Sequence, residues 1–158
     1  MRLSTAALTL AGSTLATAVA ATEAPNTFEV TNFSFGCTTD CAWTFSATVT
    51  GDHPPNHPAL TTPVTCSGSF TGPDDPNGSQ YTPCSKTDSP EGSSTELYAR
   101  IDAKTNELGF LYYVYTPTGH NYLYLGEKTV YAATGPDAEK QASAFSVVES
   151  SHRDETRH

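Results

Sequence analysis

The 158-residue sequence is short of charge, and above all of positive charge: 8 Lys and Arg stand against 17 Asp and Glu, a formal net charge of −9. So few cations cannot neutralise a run of phosphates, which argues against nucleic acid or an anionic lipid surface as the main partner. Charged residues are only 16% of the chain, too few for a solvated disordered polymer, and a hydrophobic content of 37% is too low for a membrane bundle. The recurrent enzyme signatures are missing as well. There is no Gly-x-Ser-x-Gly elbow, no P-loop and no dinucleotide fingerprint. No internal repeat and no linker divides the chain, so one compact domain is expected.

What is present begins with a leader. Met1 to Ala21 opens with Arg2, runs without further charge and ends in Ala18-Val19-Ala20-Ala21, the pattern of a secretory signal peptide cleaved after Ala20 or Ala21. Its apolar run is short, rich in Ala, Ser and Thr, and followed by polar residues, whereas a spanning helix needs roughly 20 predominantly apolar ones. Removing Arg2 from the 8 cations leaves 7 against 17 acids, net −10 in the mature chain. The C-terminus carries neither a lipid-anchor signal nor a retention tetrapeptide, so an extracellular product is expected.

All four cysteines, Cys37, Cys41, Cys66 and Cys84, fall after the leader, and an even count in a secreted chain points to two disulfides. Three pairings are formally possible. Joining Cys66 to Cys84 would close a polar loop of 17 residues and stabilise the fold by about 3 kcal/mol in the chain-entropy model. Cys37 and Cys41 would then meet across Thr38-Thr39-Asp40. Neither pair has finger spacing with a matching His pair, so no zinc and no other metal is expected.

Apolar periodicity is that of strands. In Cys41 to Thr50, Trp43, Phe45, Ala47 and Val49 alternate with Ala42, Thr44, Ser46 and Thr48, which puts the large side chains on one face. Thr27 to Phe35 carries Phe28 and Val30 in one phase and Phe33 and Phe35 in the other, so a bulge or bend near Asn32 is expected to bring both pairs to the buried face. Further strands are expected at Thr62 to Phe70, Thr95 to Ile101, Leu108 to Tyr115, Tyr122 to Leu125, Thr129 to Ala133 and Ala142 to Glu149, with a hairpin connection at Asp102 to Glu107. Seven or eight antiparallel strands expose edges unless the sheet curls shut. The expected fold is therefore all-β: a single antiparallel β-barrel or tightly closed β-sandwich with two disulfides, spanning residues 22–149, followed by a frayed polar tail at 150–158.

Three irregular stretches, Gly51 to Thr61 with its prolines, Thr71 to Gln80 and Lys86 to Ser94, read as surface loops. Asp52, His53 and His57 are not expected to hold a metal, because Pro54 and Pro55 forbid the helix that would align the two imidazoles, and a solvent-exposed loop is expected there. The best enzymatic reading places Glu96, Tyr98 and Arg100 on one strand face beside His120, residue types that resemble the active sites of small secreted fungal guanyl-specific ribonucleases without their helix or second histidine. Phe110, Tyr112, Tyr113, Tyr115, Tyr122 and Tyr124 crowd into fifteen residues, and alternation must send some inward and some outward. Tyr112, Tyr113, Tyr115, Tyr122 and Tyr124 are the candidate binding surface, and those that face outward would form a hydrogen-bonding patch for a protein, a glycan or a planar phenolic ligand. Asn32 and Asn77 head glycosylation sequons, of which Asn77 lies in the more hydrophilic turn.

Taken together, Phe28-Glu29-Val30-Thr31-Asn32-Phe33, Trp43-Thr44-Phe45 with Val49, Val64-Thr65-Cys66-Ser67 and Gln80-Tyr81-Thr82-Pro83-Cys84 resemble the Alternaria major-allergen-like family of small secreted fungal proteins over roughly Thr27 to Ala133. The resemblance implies a single antiparallel β-barrel with Cys66 bonded to Cys84. The family's later cysteine pair has no counterpart, and Cys37 with Cys41 stands at another place. It further implies a non-enzymatic effector, elicitor or allergen without a cofactor, released into the plant apoplast and contacting a plant extracellular protein or a small phenolic. A monomer or a non-covalent homodimer follows, since the proposed bonds use every cysteine. The alternatives are a secreted ribonuclease or other hydrolase using Glu96, Arg100 and His120, and a carrier of planar phenolic ligands.

Overall fold

The computed structural model describes residues 24–51, 53–88 and 92–155, so the leader reading at Met1 to Ala21 lies outside the described residues. Eight strands follow in order: β1 (Thr27–Cys37), β2 (Cys41–Val49), β3 (Leu60–Phe70), β4 (Thr82–Pro83), β5 (Ser94–Ile101), β6 (Glu107–Tyr115), β7 (Asn121–Thr129) and β8 (Phe145–Asp154). They form one antiparallel sheet in the order β3-β2-β1-β8-β7-β6-β5-β4. The sheet curls into a nearly closed barrel because β8 serves two neighbours in turn. Its first residues pair with β1, Phe145 opposite Val30 and Val148 opposite Thr27, while its later residues pair with β7, from Glu149 opposite Gly126 to Asp154 opposite Tyr122.

The two edges, β3 and β4, meet at a stitched seam. Cys66 on β3 is bonded to Cys84 just after β4. The Ser85 N–H donates to Thr65 O at 2.7 Å, the Thr65 N–H donates to Ser85 Oγ at 2.9 Å, and Thr82 Oγ1 donates to Ser67 O at 3.2 Å. These contacts cover donors that an open edge would offer to another chain. Cys37 and Cys41 form the second disulfide across the β1–β2 hairpin, where the two residues face each other in register.

Alternation fills the interior with rings. Phe28 stacks on Phe110 with centroids 4.7 Å apart, Phe45 meets Phe110 edge-on at 5.6 Å, and Trp43 lies 5.6 Å from Phe45. On β1 the register shifts between Thr31 and Ser34, and Asn32 takes φ 54°, a left-handed conformation that asparagine tolerates better than most residues. That bulge puts Phe28, Val30, Phe33 and Phe35 all in the core, as their two phases required. The filled interior also demands small residues: a Cβ at Gly68 would fall 2.4 Å from Trp43 Cζ2, and one at Gly126 would fall 2.7 Å from Phe28.

Four sequence expectations need correction. The strand expected at Tyr122 to Leu125 runs on to Thr129, which pairs with Glu107, the first residue of β6, and the one expected at Thr129 to Ala133 does not form, since residues 130–133 lie beyond that ladder. The last strand starts at Phe145 rather than Ala142, and it does not stop at Glu149. Ser150 to Asp154, expected as frayed tail, continue β8, since β7 supplies ladder partners that compensate for the missing apolar alternation. Strand β4 was not anticipated; it is two residues long and contains Pro83, so it has no periodicity to read. Among the described residues no helix is long and apolar enough to cross a membrane.

Candidate functional site

The tyrosines of β6 and β7 divide by parity. Even-numbered Tyr112, Tyr122 and Tyr124 turn toward the barrel, Tyr112 fully buried, while odd-numbered Tyr113 and Tyr115 stand half-exposed outside. Strand β5 lies beside β6 with Glu96 opposite Tyr113, so Glu96, Tyr98 and Arg100 share that outer face. Tyr98 meets Tyr113 edge-on at 5.7 Å, and Tyr113 and Tyr115 lie 6.2 Å apart with planes 8° from parallel. The hydroxyls of Tyr98 and Tyr115 both donate to Glu96 Oε2, at 3.0 and 3.3 Å.

Two phenols of this face hold their protons more tightly than a free tyrosine. Tyr98 is held above its ordinary value by its hydrogen bond to the Glu96 carboxylate, with partial burial adding to it. Tyr115 is pushed up to about 12, first by burial and then by the negative charge of Glu96. Around Glu96 the face therefore presents tyrosine rings, their hydroxyls and one carboxylate, with Arg100 further along β5. It runs directly into a groove of about 260 Å³ between segment 83–87 and the start of β5, whose walls include Lys86, Thr87, Thr95, Glu96 and Tyr98.

A second cluster sits at one mouth of the barrel. The proline-rich segment 53–59 folds over the opening and is held there by the inward tyrosines: Tyr124 Oη donates to Asn56 O at 2.7 Å and Tyr112 Oη donates to Pro58 O at 3.0 Å; Asp52, read with His53 and His57, lies outside the described residues. Ser93 Oγ adds a bond to Pro55 O at 3.1 Å. His57, only 3% exposed, lies 2.8 Å through Nε2 from Glu149 Oε2 and packs edge-on against Tyr124 at 3.9 Å between centroids. Burial raises the Tyr112 hydroxyl to about 12. An open cleft of about 380 Å³ next to this contact is lined by His53, Asn56, His57, Tyr122, Glu149 and His152 among others. The expectation of a solvent-exposed loop is thus wrong at His57, which is a buried anchor. Its partner stands 92 residues away in sequence, and no local pattern announces such a contact.

The residues of the hydrolase reading occupy three different settings. Glu96 accepts from the two tyrosines. Arg100 lies with its guanidinium carbon 4.6 Å above the Tyr81 ring, donates to Ser79 O at 3.1 Å and approaches Glu127 at 3.6 Å. His120, in the turn before β7, is 3.9 Å from Asp154. Glu96 and Arg100 are also four residue steps apart along β5, about 13 Å of rise. Asn32 and Asn77 are both exposed, so both sequons present their amide groups to solvent. Among the described residues no group of three or more His, Cys, Asp or Glu converges as metal ligands.

Against known proteins, no family model, no curated protein and no solved structure matches this chain. What stands is a small, nearly closed eight-stranded antiparallel barrel with two disulfides.

Proposed function

We propose that the chain is a secreted, non-enzymatic binding protein of the effector or elicitor type, working in the plant apoplast through its outer tyrosine face. The observation that carries this reading is the tyrosine–carboxylate surface of Tyr98, Tyr113, Tyr115 and Glu96, placed outside a barrel whose interior is filled by its own rings. Tyrosine serves recognition well, since it adds contact area with little entropy to lose and carries a hydroxyl. The leader pattern and the two disulfides favour an oxidising, extracellular setting. The motif resemblance to the Alternaria major-allergen-like family supports the same assignment, with a plant extracellular protein or small phenolic among the candidate partners.

The test is infiltration of the purified mature protein into plant tissue, with tagged protein used in parallel to capture components of apoplastic fluid. Responses and capture are expected to survive His120→Ala and to weaken with Tyr98→Ala. A partner held by the aromatic face should stay bound at high salt, whereas one held by the acidic loops should be released. Cleavage of RNA by the wild-type protein that disappears in Glu96→Gln and His120→Ala would replace this reading with the hydrolase. A phenolic carrier would have to use an outer surface, because Phe28, Phe45, Phe110 and Trp43 stack across the interior.

A further inference from the structure

The groove beside β5 narrows the chemistry of what this face can hold, given the reading of that face as the recognition surface. Its exposed walls offer the Lys86 ammonium, the Glu96 carboxylate and the Ser85 hydroxyl, while the Thr87 and Thr95 hydroxyls are buried behind them and bonded to each other. The apolar lining includes Pro83, Leu97 and the Tyr98 ring. At about 260 Å³ the groove is smaller than the roughly 300 Å³ at which drug-sized pockets begin, and it continues over Tyr98 onto Tyr113 and Tyr115. That shape takes one small polar ring at a time from a longer chain.

Two features select among polymers. The first is ring chemistry: among the described residues Val148 on β8 is the one large hydrophobic that is exposed, so the apolar area on offer is the half-exposed Tyr98, Tyr113 and Tyr115 rings edged by hydroxyls and a carboxylate, which match the apolar face and hydroxyl rim of a sugar ring. A polyanion would meet Glu96 and a chain of net charge −9. We infer that the groove and the Tyr98–Tyr113–Tyr115 face together form a binding site for an uncharged oligosaccharide. One pyranose lies in the groove with its hydroxyls on Glu96, Lys86 and Ser85, and the next residues of the chain lie across the tyrosine rings. Tyr98 joins the two parts, since it both lines the groove and packs against Tyr113.

The experiment is calorimetric and NMR titration of the mature protein with cellohexaose, xylohexaose and the hexamer of N-acetylglucosamine, with hexagalacturonate as the charged comparator. At least one neutral hexamer is expected to bind with Kd of about 1 mM or tighter, and hexagalacturonate at least tenfold more weakly. Tyr98→Ala is expected to weaken binding tenfold or more, Tyr98→Phe much less, and Glu96→Gln several-fold, while Lys140→Ala leaves it unchanged. The fold of each variant is checked by Trp43 emission and circular dichroism. Absence of binding by all three neutral hexamers at about 10 mM, equal binding of hexagalacturonate, or full binding by a folded Tyr98→Ala protein would overturn the inference. If Tyr98→Ala abolishes the tissue response while no sugar binds, the apoplastic reading stands and the oligosaccharide falls. If sugar binds through Tyr98 but the tissue response ignores that variant, the ligand class stands and the apoplastic reading falls.

Discussion

The two disulfides close loops of very different length, and their removal should separate accordingly. Cys66 and Cys84 lie 18 positions apart, Cys37 and Cys41 only 4. Loop-closure entropy assigns about 3 kcal/mol to the longer bridge and about 2 kcal/mol to the shorter. Alanine is the suitable replacement, because Cys66 is 1% exposed and a serine hydroxyl there would be buried without a partner. With a urea slope near 2 kcal/mol per molar, the Cys66→Ala/Cys84→Ala protein should lose about 1.5 M of midpoint and the Cys37→Ala/Cys41→Ala protein about 1 M. The seam adds to the difference. Once Cys66 and Cys84 part, the bonds between Thr65 and Ser85 are the main remaining clasp between β3 and the chain after β4. Trp43 sits on β2 opposite Gly68, two residues from Cys66, so its fluorescence reports the melting of this region directly. Equal losses for the two variants, or a larger loss for the hairpin pair, would refute the view that the Cys66–Cys84 bond closes the barrel.

Three further outcomes follow from single contacts. Gly68→Ala puts a methyl 2.4 Å from Trp43 Cζ2 and should destabilise by about 1–3 kcal/mol with a shifted Trp43 emission, measured by urea unfolding. Tyr112 and Tyr115 carry pKa values raised to about 12 and Tyr98 is raised as well, so the folded state holds these protons more tightly than the unfolded chain. Their contribution is complete below the ordinary tyrosine value of 10.0 and is lost as pH rises from there toward 12, which unfolding midpoints taken with tyrosinate absorbance will show. Glu149→Ala strips the buried His57 Nε2 of its partner and should cost about 1–3 kcal/mol, with faster amide exchange confined first to residues 53–59.

The legible part of the fold is the part governed by period two. Trp43, Phe45, Ala47 and Val49 announce their buried face because small and hydroxylated residues occupy the other phase, and the broken phase of β1 announces its own bulge at Asn32. The errors fall where pairing rather than patterning makes the strand. Gly126 interrupts the apolar rhythm of β7 only because Phe28 occupies the space its side chain would need. Ser150 to Asp154 are exposed along their whole length and extend β8 through the ladder alone. Neither reason is visible until the partner strand is known.

The candidate surface was half legible for a related cause. On β5 the alternation of Thr95, Leu97 and Ala99 with Glu96, Tyr98 and Arg100 fixes which side faces out. On β6 both phases are apolar or aromatic, Leu108-Gly109-Phe110-Leu111-Tyr112-Tyr113-Val114-Tyr115, so composition cannot say which tyrosines are exposed. The register supplies the answer: Glu96 stands opposite Tyr113, and a charged residue on the outer face fixes its cross-strand neighbour there too. The same register places Leu97 opposite Tyr112 and sends that tyrosine inward, where its hydroxyl reaches Pro58 and holds the loop over the barrel mouth. One parity choice thus determines both ends of the molecule's chemistry. It commits Tyr112 and Tyr124 to closing the barrel, and it leaves Tyr98, Tyr113 and Tyr115 as the rings free to meet a ligand.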